Sequence, residues 1–263
     1  MDFVNKTYLS ANTLFHFTNN IDNIINILTN EFSPRYCMES FEFLGGCDLE
    51  IAIPMVCFCD IPLSQIKNHI ENYGGYAIGL SKEWGVSKGI NPVAYSIKNS
   101  LSTKAISNVI NIINKECEDE QKKNDIDNAY DFMCNFVFYM KPYEGNSWNK
   151  EKFDGKYTRF YDEREWRYIP DIDVIKKYNI DWFLEKEEFL DYKGRREYNN
   201  KISEIIKLSF EPDDIKYIIV NSEDEILDLF RAIDNIKGDK YSLNRINILK
   251  TRIISKDQIL NDF

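Results

Sequence analysis

The stretch that organises this chain is Tyr161-Asp162-Glu163-Arg164-Glu165-Trp166-Arg167-Tyr168-Ile169-Pro170. Its close alternation of charged and aromatic residues predicts a strand. Because side chains alternate along a strand, Glu163, Glu165 and Arg167 are expected on one face. Trp166 and Tyr168 are expected on the other. Neighbouring carboxylates repel each other on an ordinary surface, whereas a site that must stabilise a developing positive charge benefits from them.

Length and composition predict a globular protein with a substantial core. The chain has 263 residues, of which 43% are hydrophobic and 14% aromatic. That is enough for one large domain or two small ones. Strand-like and helix-like segments are mixed throughout, and no linker or repeat divides them. We therefore expect a single α+β domain over residues 1–263, with a mixed β-sheet core, flanking helices and a helical insertion at about 100–140.

The charge balance limits the classes of partner. A formal net charge of −10 and a sequence pI near 4.9 disfavour general attraction to nucleic acid or to an anionic membrane. Nucleic acid could bind only through a local groove. No apolar run approaches the roughly 18 to 20 residues of a membrane span, and the first residues lack a basic segment followed by an apolar one. These features predict an unprocessed cytoplasmic protein.

Apolar, β-branched runs and capping residues predict the order of elements. The predicted strands are at 13–18, 54–59, 76–80, 92–97, 161–170, 205–210, 216–220 and 249–254. Helices are predicted at 21–28 and 61–72, and another follows Asn221. The pattern from Ser102 to Met140 is also helical, interrupted by a charged run from Lys115 to Asp125. The turn-rich segment from Lys141 to Gly155 predicts a surface loop that could close over a site.

Cysteine and histidine usage argues against a metal centre. Cys37, Cys47, Cys57 and Cys59 lie close together but include no C-x-x-C pair, so reduced, buried thiols are favoured over zinc. The chain has only two histidines. His69 is interpreted as a surface residue.

His16 has a more suggestive position than His69. It alternates with Thr18 on an otherwise apolar strand, and the two side chains could present hydrogen-bonding groups to one ligand. The sequence contains no P-loop, no G-x-G-x-x-G after a strand, no G-x-S-x-G and no H-E-x-x-H. Most familiar enzyme classes are therefore unsupported.

Several segments carry a family resemblance that spans nearly the whole chain. They are His16–Thr18, Asn23–Leu28, Pro54–Leu63, Tyr73–Gly79, Glu163–Arg167 and Thr251–Ile254. Together they resemble the AbiGi family of abortive phage-resistance proteins, whose members are named as antitoxins of abortive-infection systems. The resemblance implies phage defence and a cognate toxin or antitoxin partner. It implies no established reaction.

The same order of elements resembles, more distantly, the ADP-ribosyltransferase fold, including DarT-type toxins that modify DNA. That resemblance implies an ADP-ribosyltransferase-like sheet and NAD as a substrate. His16 would match the histidine that hydrogen-bonds a ribose of NAD, with Thr18 beside it. Arg35 would pair with the pyrophosphate. Tyr76, or alternatively Tyr73, would match the tyrosine that stacks on nicotinamide.

The resemblance also assigns roles to the two glutamates. Glu165 would match the catalytic late-strand glutamate, which accepts the ribose 2′-hydroxyl and stabilises the oxocarbenium-like charge that forms as nicotinamide leaves. Glu163 would orient the acceptor or be a structural neighbour. The leading hypothesis is therefore NAD-dependent transfer of ADP-ribose to an unidentified macromolecule.

Two alternatives stay open. In the first, Glu163, Arg164 and Arg167 form ordinary cross-strand ion pairs, while Trp166 and Tyr168 fill the core. In the second, the protein is a non-enzymatic antitoxin or sensor that binds and neutralises a toxin. The acidic composition favours that role, because an acidic surface associates rapidly with a basic one.

Overall fold

The computed structural model describes residues 10–45, 49–116 and 123–262. Its strands are β1 (Thr13–Thr18), β2 (Arg35–Ser40), β3 (Glu50–Cys59), β4 (Tyr76–Ser81), β5 (Asn91–Pro92), β6 (Ala94–Ser96), β7 (Met140–Pro142), β8 (Gly145–Asn146), β9 (Tyr157–Thr158), β10 (Glu165–Tyr168), β11 (Leu184–Glu185), β12 (Ile215–Val220) and β13 (Ile253–Ser255). Its helices are α1 (Ile21–Asn30), α2 (Lys67–Tyr73), α3 (Lys82–Ser87), α4 (Leu101–Glu116), α5 (Lys123–Val137), α6 (Ile172–Lys177), α7 (Lys186–Leu190), α8 (Tyr192–Ile205), α9 (Ile226–Lys237), α10 (Leu243–Lys250) and α11 (Lys256–Asp262).

One mixed sheet joins strands from both ends of the chain. Its order is β13-β12-β4-β1-β3-β10-β5, and β2 and β11 also pair with β3. β12 and β13 are parallel, whereas β1 is antiparallel to both β3 and β4. Two smaller pairs, β6 with β7 and β8 with β9, lie outside this sheet. The predicted α+β class, with a mixed sheet and flanking helices, is confirmed.

Apolar side chains on each face of the sheet pack against helices. On one face, Ile78 and Ile218 pack with Leu28 of α1, Leu229 of α9 and Leu249 of α10. On the other face, separate clusters form around α2 and α11 and around the ends of α4 and α5. Each large apolar side chain that is fully buried contributes about 1.5–3 kcal/mol. The sheet is therefore held between two helical layers.

The first strand and helix form as their sequence predicts. Asn20 caps α1, and its side chain accepts a hydrogen bond from the backbone N–H of Asp22 at 2.8 Å. The apolar residues recur at helical spacing, which buries Ile24, Ile27 and Leu28 on one side of α1. This short helix brings the chain back across the sheet to begin β2.

The organising stretch divides into a turn and a strand. Phe160–Glu163 form a 3-10 turn, and Arg164 follows with left-handed backbone angles, φ 44° and ψ 49°. β10 then begins at Glu165, and its neighbour β3 extends the contact when the Asp60 N–H donates to the Arg164 carbonyl at 3.0 Å. The prediction of a continuous strand from 161 to 170 was thus wrong before Glu165, because alternation of residue types does not report backbone handedness.

Three other predicted boundaries differ from the structure. The predicted strand at 205–210 is instead the end of α8 followed by irregular chain, with one bridge from Leu208 to Phe32. Its apolar residues have another role, since Ile206 packs with Ile175 and with Ile202 of α8. The helical pattern predicted to reach Met140 ends at Val137, and β7 begins at Met140. The strand predicted at 249–254 begins only at Ile253. In each case tertiary packing decides what a short apolar run becomes.

Within the described ranges, the helices are too short or too polar for any of them to cross a membrane.

Candidate functional site

Glu165, at the start of β10, is buried in a set of ion pairs. One of its carboxylate oxygens, Oε1, accepts from Arg167 Nε at 2.5 Å. The other, Oε2, accepts from Lys141 Nζ at 2.7 Å and from Arg167 Nη2 at 3.3 Å. Burial alone would raise the pKa of Glu165, but Arg167 and Lys141 outweigh it and hold that pKa well below its usual range. Glu165 is therefore a carboxylate with both oxygens engaged.

Arg167 is the centre of this arrangement and has no exposed surface. Besides Glu165, its guanidinium donates to the Phe138 carbonyl at 2.9 Å and to Glu39 Oε1 at 2.8 Å. Burial would lower its pKa, but the adjacent Glu165 and Glu39 raise it well above the ordinary value. A buried guanidinium needs such partners, because an unpaired charge in the interior is strongly unfavourable.

Lys141 extends the pairing to Glu163. It lies on β7, and its ammonium donates to Glu163 Oε2 at 2.9 Å as well as to Glu165. Glu163 also accepts from the Tyr73 hydroxyl. We call Glu39, Lys141, Glu163, Glu165 and Arg167 the ion network. It holds three carboxylates and two cations, and burial raises the pKa of one of the carboxylates, Glu39.

The short β6–β7 pair helps to position the ion network, because both of its strands contact Glu165. Tyr95 and Lys141 are register partners in it. The Tyr95 hydroxyl accepts the backbone N–H of Glu165 at 2.9 Å, which satisfies the first donor of β10. The start of β10, at Glu165, is therefore held in place by Tyr95 of β6, a residue distant in sequence.

A cavity of about 840 Å3 opens next to the network. Glu39, Lys141 and Glu163 line it, while Glu165 does not. Its other walls are rich in aromatic rings, from Tyr73, Tyr143, Trp148, Phe153, Tyr157 and Phe160. We call this space the aromatic cavity. Its size falls within the range typical of small-molecule sites, about 300–1,000 Å3.

A second cavity of about 680 Å3 adjoins the first. The two share Asn72, Glu163 and the segment from Lys156 to Thr158 as a common rim. Four cationic side chains line the second space, from Lys67, Lys156, Arg159 and Arg164, together with three carboxylates, from Glu71, Asp162 and Glu163. We call it the basic cavity. Glu163 thus stands between two cavities of different chemistry.

Comparison with known proteins identifies the relatives of this chain. The family described as "Putative abortive phage resistance protein AbiGi, antitoxin" matches residues 30–221. The chain belongs to the AbiGi family. A Lactococcus lactis subsp. cremoris protein named "Abortive phage resistance protein AbiGi" is 31% identical to it over 253 residues, and the match covers 88% of this chain and 99% of that relative. The resemblance to the AbiGi family seen in the sequence is confirmed.

No solved structure is significantly similar to this AbiGi chain. The likeness to ADP-ribosyltransferases accordingly stays a prediction from the sequence. What the structure adds is the location of the residues that the likeness singled out.

In this AbiGi chain, His16 and Glu165 lie on opposite faces of the sheet. Phe15 of β1 pairs with Cys59 of β3, and Cys59 pairs with Glu165 of β10, so these three side chains share a face. Alternation places His16 on the other face. There its ring lies against Phe32 and Phe58, and its Nδ1 is 2.8 Å from the Cys57 carbonyl oxygen.

Thr18 and Tyr76 share the His16 face and have partners of their own. They are register partners between β1 and β4. Thr18 accepts from Asn23 Nδ2 at 2.6 Å, and the Tyr76 hydroxyl donates to Glu225 at 2.8 Å. Arg35 is exposed at the start of β2, and its charge contributes to lowering the pKa of His16 after the larger effect of burial. The structure thus brings Tyr73, Glu163 and Glu165 together and leaves His16, Thr18 and Tyr76 apart from them.

Two network residues were missed by the sequence interpretation. Glu39 and Lys141 lie on strands far from Glu165 in the chain, and no local pattern marks either of them. The sequence predicts a surface loop from Lys141 that could close over a site, and residues 142–148 of that segment line the aromatic cavity. Only the pairing of distant strands could have revealed their role.

His69 was also misjudged, because it is buried and not on the surface. It is 7% exposed, and its ring lies 5.8 Å from that of Phe17 and 5.6 Å from that of Tyr73. Polar neighbours in sequence made α2 resemble a solvated helix. The side of the helix that carries His69 instead turns towards the sheet.

The thiols fit a buried, reduced state. Cys37, Cys57 and Cys59 are free, and burial raises the pKa of each, to about 12 for Cys37. Cys47 lies outside the described residues. Across the described ranges, no group of three or more histidine, cysteine or acidic side chains is arranged to hold a metal ion.

Proposed function

We propose that this protein serves abortive phage resistance as an antitoxin, which binds and neutralises a partner toxin. The observation that carries this proposal is the complete engagement of Glu165 by Arg167 and Lys141. The family description, which includes the word antitoxin, supports it. Binding rather than catalysis is then the task of the fold.

The energetics of the ion network favour a structural role for Glu165. To receive a substrate hydroxyl, Glu165 would have to loosen a buried pair, and disrupting such a pair costs about 3–5 kcal/mol. The residues that line the two cavities include Glu163 but not Glu165. Glu165 is only 7% exposed, whereas a catalyst needs access to the reacting atoms.

The charge of the chain supports a basic partner. With 43 acidic and 33 basic residues, the protein presents an excess of negative charge. An acidic antitoxin attracts a basic toxin over a distance and speeds their association, mostly through the on-rate. The complex should therefore form more slowly at high salt.

Co-expression tests the proposal. A toxin candidate encoded beside this gene would be expressed with the wild type, with Glu165→Gln and with the matched surface variant Glu223→Gln, and growth would be measured. We expect all three to restore growth when their soluble amounts and melting temperatures are equal. Loss of rescue in Glu165→Gln alone, with folding intact, would contradict a binding role.

A second candidate function is NAD-dependent ADP-ribosyl transfer from the aromatic cavity. One observation favours it, namely that Tyr73 and Glu163 meet at a cavity of about 840 Å3 beside a lysine. In this reaction the bond between nicotinamide and ribose would break, and an acceptor nucleophile would bond to the ribose carbon and release its proton. The tyrosine ring would stack on nicotinamide, while Glu163 would stabilise the positive charge.

Labelled NAD separates this candidate from the first. The purified protein would be incubated with NAD, with and without cell lysate as a source of acceptors, and nicotinamide release would be followed. Transfer predicts release by the wild type and its loss in Glu163→Gln, while Glu223→Gln stays active. Wild-type protein that releases no nicotinamide in either condition would exclude the candidate.

A further inference from the structure

The segment that rims both cavities interleaves basic and aromatic residues. It reads Lys156-Tyr157-Thr158-Arg159-Phe160-Tyr161-Asp162-Glu163-Arg164. In the structure it forms β9, the 3-10 turn and the left-handed residue before β10. This folding turns Lys156, Arg159 and Arg164 towards one space, the basic cavity. Lys67 of α2 lines the same space from the opposite side.

Most of these cations lack a carboxylate partner. In the part of the chain that the structure describes, Lys67, Lys156 and Arg164 form no ion pair. Arg159 reaches Asp162 at 3.7 Å, but both side chains are more than half exposed, so that pair is weak. Four cations and three acidic residues, Glu71, Asp162 and Glu163, line the cavity, so its lining carries one more positive than negative charge in a chain of net charge −10.

A buried histidine at the same cavity has a free hydrogen-bonding position. His69 lines the basic cavity, is 7% exposed, and its Nε2 has no hydrogen-bond partner in the structure. Polar atoms buried in proteins are normally paired, so an orphaned one at a cavity points to a ligand or an ordered water. A neutral imidazole can donate to or accept from such a group.

Exposed aromatic rings stand beside the cations. Tyr157 lines both cavities and is 63% exposed, and Tyr161 of the basic cavity is 44% exposed. Stacking of a flat ligand on a large exposed ring removes apolar surface from water and is therefore favourable. Cationic side chains that follow a backbone, combined with rings on which bases stack, are the common features of proteins that bind single-stranded nucleic acid.

We propose that the basic cavity binds the phosphate of a nucleotide unit, free or within a single strand, whose base stacks on Tyr157. Lys67, Lys156 and Arg159 neutralise the phosphate, and His69 supplies a directed hydrogen bond. The adjoining aromatic cavity has room for the base or for the next nucleotide. This site depends neither on the toxin partner nor on any reaction of NAD.

Binding measurements with matched variants test the site. Three probes would be titrated into the purified full chain: a fluorescently labelled single-stranded DNA 12-mer, AMP and inorganic phosphate. We expect the wild type to bind at least one nucleotide probe at least tenfold more tightly than phosphate. Tight binding of the 12-mer alone identifies a single strand as the ligand, and equal binding of AMP identifies a free nucleotide.

Two variants and two controls locate the contacts. Tyr157→Ala should weaken nucleotide binding roughly tenfold, because stacking contributes that much per base. The double variant Lys156→Gln with Arg159→Gln should weaken all probes and reduce the slope of log affinity against log salt by about 1.4 for a single strand. The exposed residues of the controls Tyr178→Ala and Arg231→Gln lie outside both cavities, and these variants should bind like the wild type.

Each failure has a clear meaning. The proposal is overturned if no probe binds, if the cavity variants bind as the wild type does, or if phosphate binds as tightly as the nucleotides. Growth rescue by the same variants would be scored separately, so that loss of nucleotide binding with intact rescue would leave the antitoxin function standing. Thermal melting of each variant confirms that it is folded.

Discussion

The two faces of β10 bury their side chains by opposite physical means. On one face, Glu165 and Arg167 point inward and are held by charge-assisted hydrogen bonds to other buried residues. On the other, Trp166 and Tyr168 pack against the apolar cluster that contains Phe58. Four consecutive residues thus take part in two different kinds of interior.

The difference teaches what each face contributes. Apolar burial stabilises in proportion to the area removed from water and tolerates some variation in shape. A buried ion network adds little net stability, since desolvation offsets attraction, but it is strongly unfavourable when one partner is missing. The charged face therefore fixes the positions of β2, β7 and β10 relative to one another, whereas the apolar face supplies more of the folding energy.

Removing the charge of Arg167, at the centre of the charged face, should lower the free energy of unfolding more than any other change considered. Arg167→Met keeps much of the side-chain volume but leaves Glu39 and Glu165 without their main counter-charge. We expect the free energy of unfolding to fall by about 3–5 kcal/mol, measured by urea denaturation. Arg231→Met, at an exposed ion pair, should change it by no more than about 0.5 kcal/mol. A loss below about 1 kcal/mol in Arg167→Met would show that the network is not tightly coupled.

On the apolar face of the sheet, His16 should make the free energy of unfolding depend on pH. Burial, with a smaller effect of Arg35, lowers the pKa of His16 below 6.5. The unfolded chain then binds the proton more readily, so the contribution of His16 to stability is present above about pH 6.5 and is lost as the pH falls below it towards the folded pKa. Each pH unit in that window removes at most about 1.4 kcal/mol.

His16→Gln should lose less stability than the wild type between about pH 7.5 and about pH 5.5. The raised pKa of Glu39 acts with the opposite sign, and the lowered pKa of His69 with the same sign, but both groups are present in both proteins and cancel in the comparison. Urea denaturation at each pH measures the difference. Parallel stability curves would mean that His16 keeps an ordinary pKa.

The smallest effect is expected at the outer edge of the charged face. Tyr73→Phe removes the hydroxyl that donates to Glu163 but keeps the ring. Because Tyr73 is 45% exposed, water can replace part of this bond, and we expect a loss of about 0.5–1 kcal/mol in the free energy of unfolding. The similarly exposed Tyr178→Phe should have no measurable effect. Equal stability of both variants with wild type would show that the hydrogen bond from Tyr73 to Glu163 does not stabilise the fold.

The sequence anticipated part of this arrangement. It predicted that Glu165 and Arg167 share a face, and it offered Tyr73 as an alternative to Tyr76, which is the tyrosine that the structure places beside Glu163. It also weighed ordinary ion pairing of these charges against a site. It did not predict Glu39 or Lys141, because residues on distant strands carry no local mark of a shared network.

The sequence alone determined the family motifs, the capped helix α1, the alternation along β10 and the overall negative charge. Those properties depend on neighbours within a few residues, or on simple sums, and can be read directly from the chain. Whether the charges of β10 face solvent or one another depended on what covers that face. Only tertiary structure decided this, because the covering strands β6 and β7 meet Glu165 through contacts that no periodicity in the sequence encodes.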